Sequence, residues 1–218
     1  MSLQSCYTDT VVLYHKQGTK MKIIAATKNK GKLEELYTIL KDHDIELVSW
    51  EEAGLGDFEI EENGSTCEEN SYIKAKAICD MTGKAALADD TGLFVDAVSG
   101  EPGINSARYA GEHGNDKANR EKLLCKLKGV PSEKRTAKFV TVITVVYPDG
   151  SCLVARGECP GYITEEERGE RGFGYDSIFV PEGHEETFAQ LPLEYKNSLS
   201  HRHMALLKLT ELLKENKK

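Results

Sequence analysis

The sequence predicts an α/β protein with a mixed central β-sheet flanked by helices. Short apolar runs alternate with helical stripes through the first half of the chain. A β-branched run at 139–146 is apolar on both alternating faces, as expected of a central strand covered on two sides. Pro148-Asp149-Gly150 then supplies turn chemistry, and residues 151–155 return as the second arm of a hairpin.

The elements follow in order. Residues 21–26 (Met-Lys-Ile-Ile-Ala-Ala) open the fold as a strand. Leu33, Leu36, Ile39 and Leu40 make a helical stripe over 32–40, and residues 45–48 form a short strand. Residues 68–81 are helical, with Ile73, Ala77 and Met81 expected on the inward face. Residues 84–88 are a strand expected to end in a turn at Asp89-Asp90-Thr91-Gly92, since Asp and Gly are ordinary turn residues. A short helix at 119–127 uses Leu123, Leu124 and Leu127, and a terminal helix at 200–214 turns Leu206, Leu209 and Leu213 inward. Residues 1–20 are polar and irregular, with a possible short strand at 11–14. They read as an extension or leader to a single domain at 21–218.

A chain of 218 residues can form one sizeable domain, or two lobes sharing a sheet. Its 28 Lys and Arg against 36 Asp and Glu leave a net charge of −8, which argues against a nucleic-acid polymer as partner. A small anion in a local basic pocket is still allowed. The longest apolar run, 139–147, is far shorter than the roughly 20 residues that cross a bilayer, so no membrane partner is expected. The first residues do not read as a secretory signal. Six cysteines without a Cys-x-x-Cys pair favour free thiols in a reducing cytoplasm.

Four segments have the composition of a ligand site. Thr27-Lys28-Asn29-Lys30-Gly31-Lys32 lies between a strand and a helix, where backbone N–H groups favour anions. It lacks the first glycine and closing hydroxyl of the common phosphate loop, and a solvated polar loop is the plain alternative. Ser200-His201-Arg202-His203 puts an N-cap serine before up to three cations, which oppose the helix dipole unless an anion or polar ligand sits there. Lys196 stands close enough in sequence to join them. In Gly172-Phe173-Gly174-Tyr175-Asp176, two glycines bracket an aromatic that can stack on a base or plug the core. Glu61-Glu62 and Asp89-Asp90 supply oxygen ligands of the kind Mg²⁺ takes. Neighbours on a strand face opposite ways, so one of Asp89 and Asp90 is expected at a metal or attacking water and the other in support. Lys74, on the intervening helix, can balance their charge.

These segments, with Ala88-Asp89-Asp90-Thr91-Gly92-Leu93, Pro102-Gly103-Ile104-x-Ser106-Ala107-Arg108-Tyr109 and Ser200-His201-Arg202, resemble the inosine/xanthosine triphosphate pyrophosphatase (Ham1-like) family from about residue 21 to the last helix. The resemblance implies two lobes with an active-site cleft between them, a homodimer, and Mg²⁺-dependent hydrolysis of ITP, dITP and XTP to the monophosphate and pyrophosphate. By the same resemblance, Thr27, Lys28, Asn29, Lys30, Gly31 and Lys32 bind the triphosphate. Asp90 acts at the metal and catalytic water, with Glu62 as metal partner and Lys74 beside them. Thr91 touches substrate, Phe173, Gly174, Tyr175 and Asp176 enclose the base, and Lys196, His201 and Arg202 complete the site. Backbone N–H groups near Phe173-Gly174, together with His201 and Arg202, are candidate donors to a 6-oxo group. Ser177 stands where members often carry Pro, which bears on the rigidity of that turn. Other readings are a pyrophosphatase for a modified pyrimidine, a nucleotide sensor without turnover, and a metal-dependent phosphomonoesterase.

Overall fold

The protein is described by a computed structural model covering residues 20–41, 43 and 45–215. The extension expected at 1–20, with its possible strand, lies outside the described residues apart from Lys20. The strands are β1 (Met21–Ala25), β2 (Ile45–Val48), β3 (Ala86–Val95), β4 (Pro102–Gly103), β5 (Thr136–Val146), β6 (Cys152–Ile163) and β7 (Phe179–Pro181). The helices are α1 (Lys30–Leu40), α2 (Cys67–Thr82), α3 (Asp116–Lys126), α4 (Leu193–Leu199) and α5 (His201–Glu215). Strand order is β2-β1-β3-β5-β6-β7, with β4 on β3. β1 pairs in parallel with β2 and β3, whereas β3–β4 and β6–β7 are antiparallel, so the sheet is mixed as expected.

The chain divides into two compact units. The first comprises the described residues of Met1–Asp90, Val142–Arg156 and Ala205–Lys218; the second comprises Thr91–Thr141 and Gly157–Met204. In the first unit, the period-2 alternation of strands separates two cores. Ile23 and Ala25 of β1, Leu87 of β3 and Ile143 of β5 pack with Leu36 and Leu40 of α1 and Leu206, Leu209 and Leu213 of α5. Ile24, Ala26, Ala86 and Ala88 project the other way, onto Ala75, Ile78 and Cys79 of α2. The second unit has its own core, in which Leu93, Val95, Phe139, Ile163 and Phe179 meet Leu123 of α3 and Leu127 at its C-cap.

Two expectations are corrected. Asp89-Asp90-Thr91-Gly92 is no turn: β3 runs through it for ten residues. Gly92 is there for close approach, since a Cβ at that position would lie 2.7 Å from the Gly103 carbonyl oxygen of β4. The inward face of α2 is also not Ile73, Ala77 and Met81; Met81 is 57% exposed. The buried stripe is Ser71, Ala75, Ile78 and Cys79, and Ser71 Oγ is 2.7 Å from Thr144 Oγ1 of β5. Both stripes have helical spacing. The true one was hidden because its end members are a small hydroxyl and a thiol. α4, β4 and β7 were not expected, being too short to carry a period.

Candidate active site

In the first unit, the two faces of β3 separate the paired aspartates. Asp89 shares its face with Leu87, toward α1, and its Oδ2 meets Lys32 Nζ at 3.0 Å, with the Asp89 side chain only 1% exposed. Asp90 shares its face with Ala88, toward α2, and its Oδ1 lies 3.3 Å from Lys74 Nζ. The same ammonium reaches Glu62 Oε1 at 3.2 Å, so Glu62, Lys74 and Asp90 form one group. Burial alone would lower the Lys74 pKa, but the charges of Asp90, Glu62 and Asp89 outweigh it and hold it above the ordinary lysine value. Asp90 Oδ2 is buried without a hydrogen-bond partner among the described residues. Cys67, the first residue of α2, was not singled out from the sequence. Burial and then the neighbouring Asp90 charge push its thiol up to about 12, so it stays neutral.

The β1–α1 loop is only partly turned to this group. Asn29 caps α1, its side chain accepting from the Lys32 N–H, and Thr27 Oγ1 accepts from the Asn29 N–H. Gly31 lies in the first helical turn rather than a loop, and that turn contains no acid. Lys30 is exposed. Lys28 is taken up elsewhere: its Nζ donates to Asp57 Oδ1 at 2.8 Å and to the Phe58 carbonyl at 2.7 Å, over the ring of Trp50.

The second unit gathers the aromatic and basic residues. Lys196 Nζ pairs with Asp176 Oδ2 at 2.6 Å, both side chains almost fully buried, and lies 4.9 Å from the Phe173 ring centre. Arg202, 1% exposed, stands 5.9 Å from that ring and donates from Nη2 to Thr91 Oγ1 at 3.3 Å. Thr91 Oγ1 is 2.7 Å from Thr141 Oγ1. His201 stacks on Phe139 with ring centres 4.6 Å apart. Ser200 caps α5 as expected, its Oγ accepting the His203 N–H, while burial lowers the His203 pKa and so weakens it as a cation.

The turn at 172–176 is itself tightly bound. Gly172 has φ +76°, and a Cβ there would lie 2.0 Å from Asp176 Oδ2. The Phe173 N–H donates to Asp176 Oδ2 and the Gly174 N–H to Asp116 Oδ2, so both are engaged within the protein and neither is a free donor for a 6-oxo group. Tyr175 is a core residue whose hydroxyl donates to the Ser106 carbonyl. Ser177 Oγ donates to Glu167 Oε2 at 3.0 Å, a tether in place of a proline ring. Asp116 and Arg120 escaped the sequence reading because charges at helical spacing look like a solvated face, and Glu167 because it lies among charged residues outside any helix or strand.

The protein is of the α/β class, with a carboxylate–ammonium–carboxylate group in one unit and an aromatic–cation group in the other. The chain belongs to the Ham1 family, whose family model matches residues 23–212. It is 48% identical over 197 residues to the dITP/XTP pyrophosphatase of Desulforamulus reducens, covering 88% of this chain and 96% of that protein. With the enzyme of the same name from Bacillus subtilis it shares 46% over 190 residues, covering 87% and 96%. Among solved structures, it resembles the Ham1 protein of Staphylococcus aureus, at 42% identity and TM-score 0.79 over 90% of this chain and 100% of that one. The Coxiella burnetii HAM1 protein is similar at 38% identity and TM-score 0.80, covering 89% and 99%.

Proposed function

We propose that this chain is a nucleoside-triphosphate pyrophosphatase. It hydrolyses non-standard purine nucleoside triphosphates (ITP, dITP, XTP) to the monophosphate and pyrophosphate, and so removes deaminated purines from the nucleotide pool. Within a Ham1 chain, the observation that carries this reading is the Glu62–Lys74–Asp90 group, with a buried Asp90 oxygen left over. A buried carboxylate oxygen without a partner is costly, and a cation or a water relieves the cost. Two carboxylates that are to work with substrate phosphates are also a donor set that suits Mg²⁺. The residues therefore fit the metal, with Glu62 and Asp90 to hold it. Bound Mg²⁺ would neutralise phosphate charge and polarise the anhydride.

The chain's own residues do the rest. Lys74 fixes Glu62 and Asp90 against each other, and Asp90 orients the attacking water. Lys32, held by Asp89, supplies positive charge at the start of α1 for the triphosphate, together with Thr27 and Asn29. Phe173 offers a face to the purine, while Arg202, His201 and Lys196 supply polar and cationic contacts. The protein is proposed to work as a homodimer in the cytoplasm; the compartment fits Cys67, Cys79, Cys125, Cys152 and Cys159 forming no disulfide among the described residues.

Incubation with ITP, XTP, dATP and dGTP plus Mg²⁺, resolving pyrophosphate from orthophosphate, tests the reading. Pyrophosphate from ITP and XTP in preference to dATP and dGTP is expected. Orthophosphate would indicate a phosphomonoesterase, and binding without product a sensor.

A further inference from the structure

Helix α3 takes no part in the chemistry described above, yet it binds the turn that carries Phe173. Asp116 and Arg120 are one helical turn apart and share a face. Asp116 Oδ2 accepts the Gly174 N–H at 2.7 Å, and Arg120 Nη1 donates to the Gly174 carbonyl at 2.8 Å. At the other end of the Phe173–Gly174 peptide, the Phe173 carbonyl accepts the Asp176 N–H at 3.2 Å. That peptide plane is thus held at both edges, and the next one is held by Arg120. Arg120 is itself anchored, its Nε lying 3.0 Å from Glu167 Oε2, which also accepts from Ser177. Burial alone would raise the Glu167 pKa, but Arg120 and Ser177 hold it below the ordinary value.

The bonds are needed because of the residue they hold. Gly174 has φ +62° and no side chain to pack, so within the turn its peptides are restrained only by the Asp176 N–H bond to the Phe173 carbonyl, and the remaining bonds come from α3. The Phe173–Gly174 peptide adjoins the Cα from which the Phe173 ring reaches to Lys196 and Arg202, so fixing that peptide fixes the backbone that aims the ring. Charge-assisted bonds from a helix are a strong means of doing so.

We propose that Asp116 and Arg120 are positioning residues, which clamp the Gly174 peptides, hold the Phe173 ring in place and so set the affinity for the purine base. The inference rests on the reading of the 172–176 turn as the base-binding end. Because neither residue is placed at the phosphates or metal, their loss should fall on KM rather than kcat.

The test is a double-mutant cycle with ITP and Mg²⁺. Asp116→Ala should raise KM about tenfold with kcat within about threefold of wild type, and Asp116→Asn, which retains an acceptor oxygen, should restore most of the affinity. In a Phe173→Ala background, Asp116→Ala should add almost nothing, because the ring it positions is gone. Additive effects, an unchanged KM in folded Asp116→Ala, or an Asn variant as impaired as Ala would overturn the inference alone. Wild-type protein that releases no pyrophosphate from ITP would overturn the activity, and the inference with it. Should Asp116→Ala fail to fold, Arg120→Met carries the same comparison.

Discussion

Asp89 and Asp90 carry the same side chain and differ in the face of β3 they occupy. Asp89 is consumed by Lys32, a buried pair whose value is to hold the lysine at the start of α1. Removing one partner of such a pair strands a buried charge, so neither is a neutral site for substitution. Asp90 shares Lys74 with Glu62 and keeps one buried oxygen without a hydrogen-bond partner among the described residues, which suits it to a ligand. Asp90→Asn keeps the shape and removes the charge. It should lower kcat on ITP on the order of a hundredfold or more while the circular dichroism spectrum is unchanged. A near-normal kcat would remove Asp90 from its proposed role.

Elements here do more than carry residues. The 172–176 turn is built around Gly172, whose left-handed backbone brings the chain against the Asp176 carboxylate that also anchors Lys196 and the Phe173 N–H. Gly172→Ala introduces both an unfavourable φ and a Cβ in the space of that oxygen. It should destabilise the protein by about 2 kcal/mol or more, read as a lowered urea midpoint, and raise KM for ITP with it. A stable variant with unaltered KM would mean that the turn has slack the geometry does not suggest. α2 shows the same economy, one face packing the sheet while Lys74 holds the two acids.

One contribution to the pH dependence of the molecule's stability comes from Lys74. Its folded pKa is raised above the ordinary value of 10.5, so the native state keeps its proton where the unfolded chain has lost it. The stabilisation is therefore fully present below 10.5 and is lost as pH rises through the folded value. Denaturation of wild type should show a fall in stability on that alkaline side, and Lys74→Met should lack this component of the slope. An identical alkaline slope in both proteins would count against the pairing. The sequence by itself determined the mixed α/β class, most of the longer elements, the cap Ser200, and the opposite faces of the two aspartates, because periodicity and capping are local. It read β3 as ending in a turn, because Asp and Gly have two uses and only the approach of β4 to Gly92 distinguishes them. It also turned α2 the wrong way and did not foresee the partner Lys28 takes or the bond made by the Gly174 N–H. Those were decided by partners distant in sequence: Thr144 for Ser71, Asp57 for Lys28, Asp116 for Gly174. A hydrogen bond or buried pair forms only where folding brings both members together, and no spacing along the chain encodes that meeting.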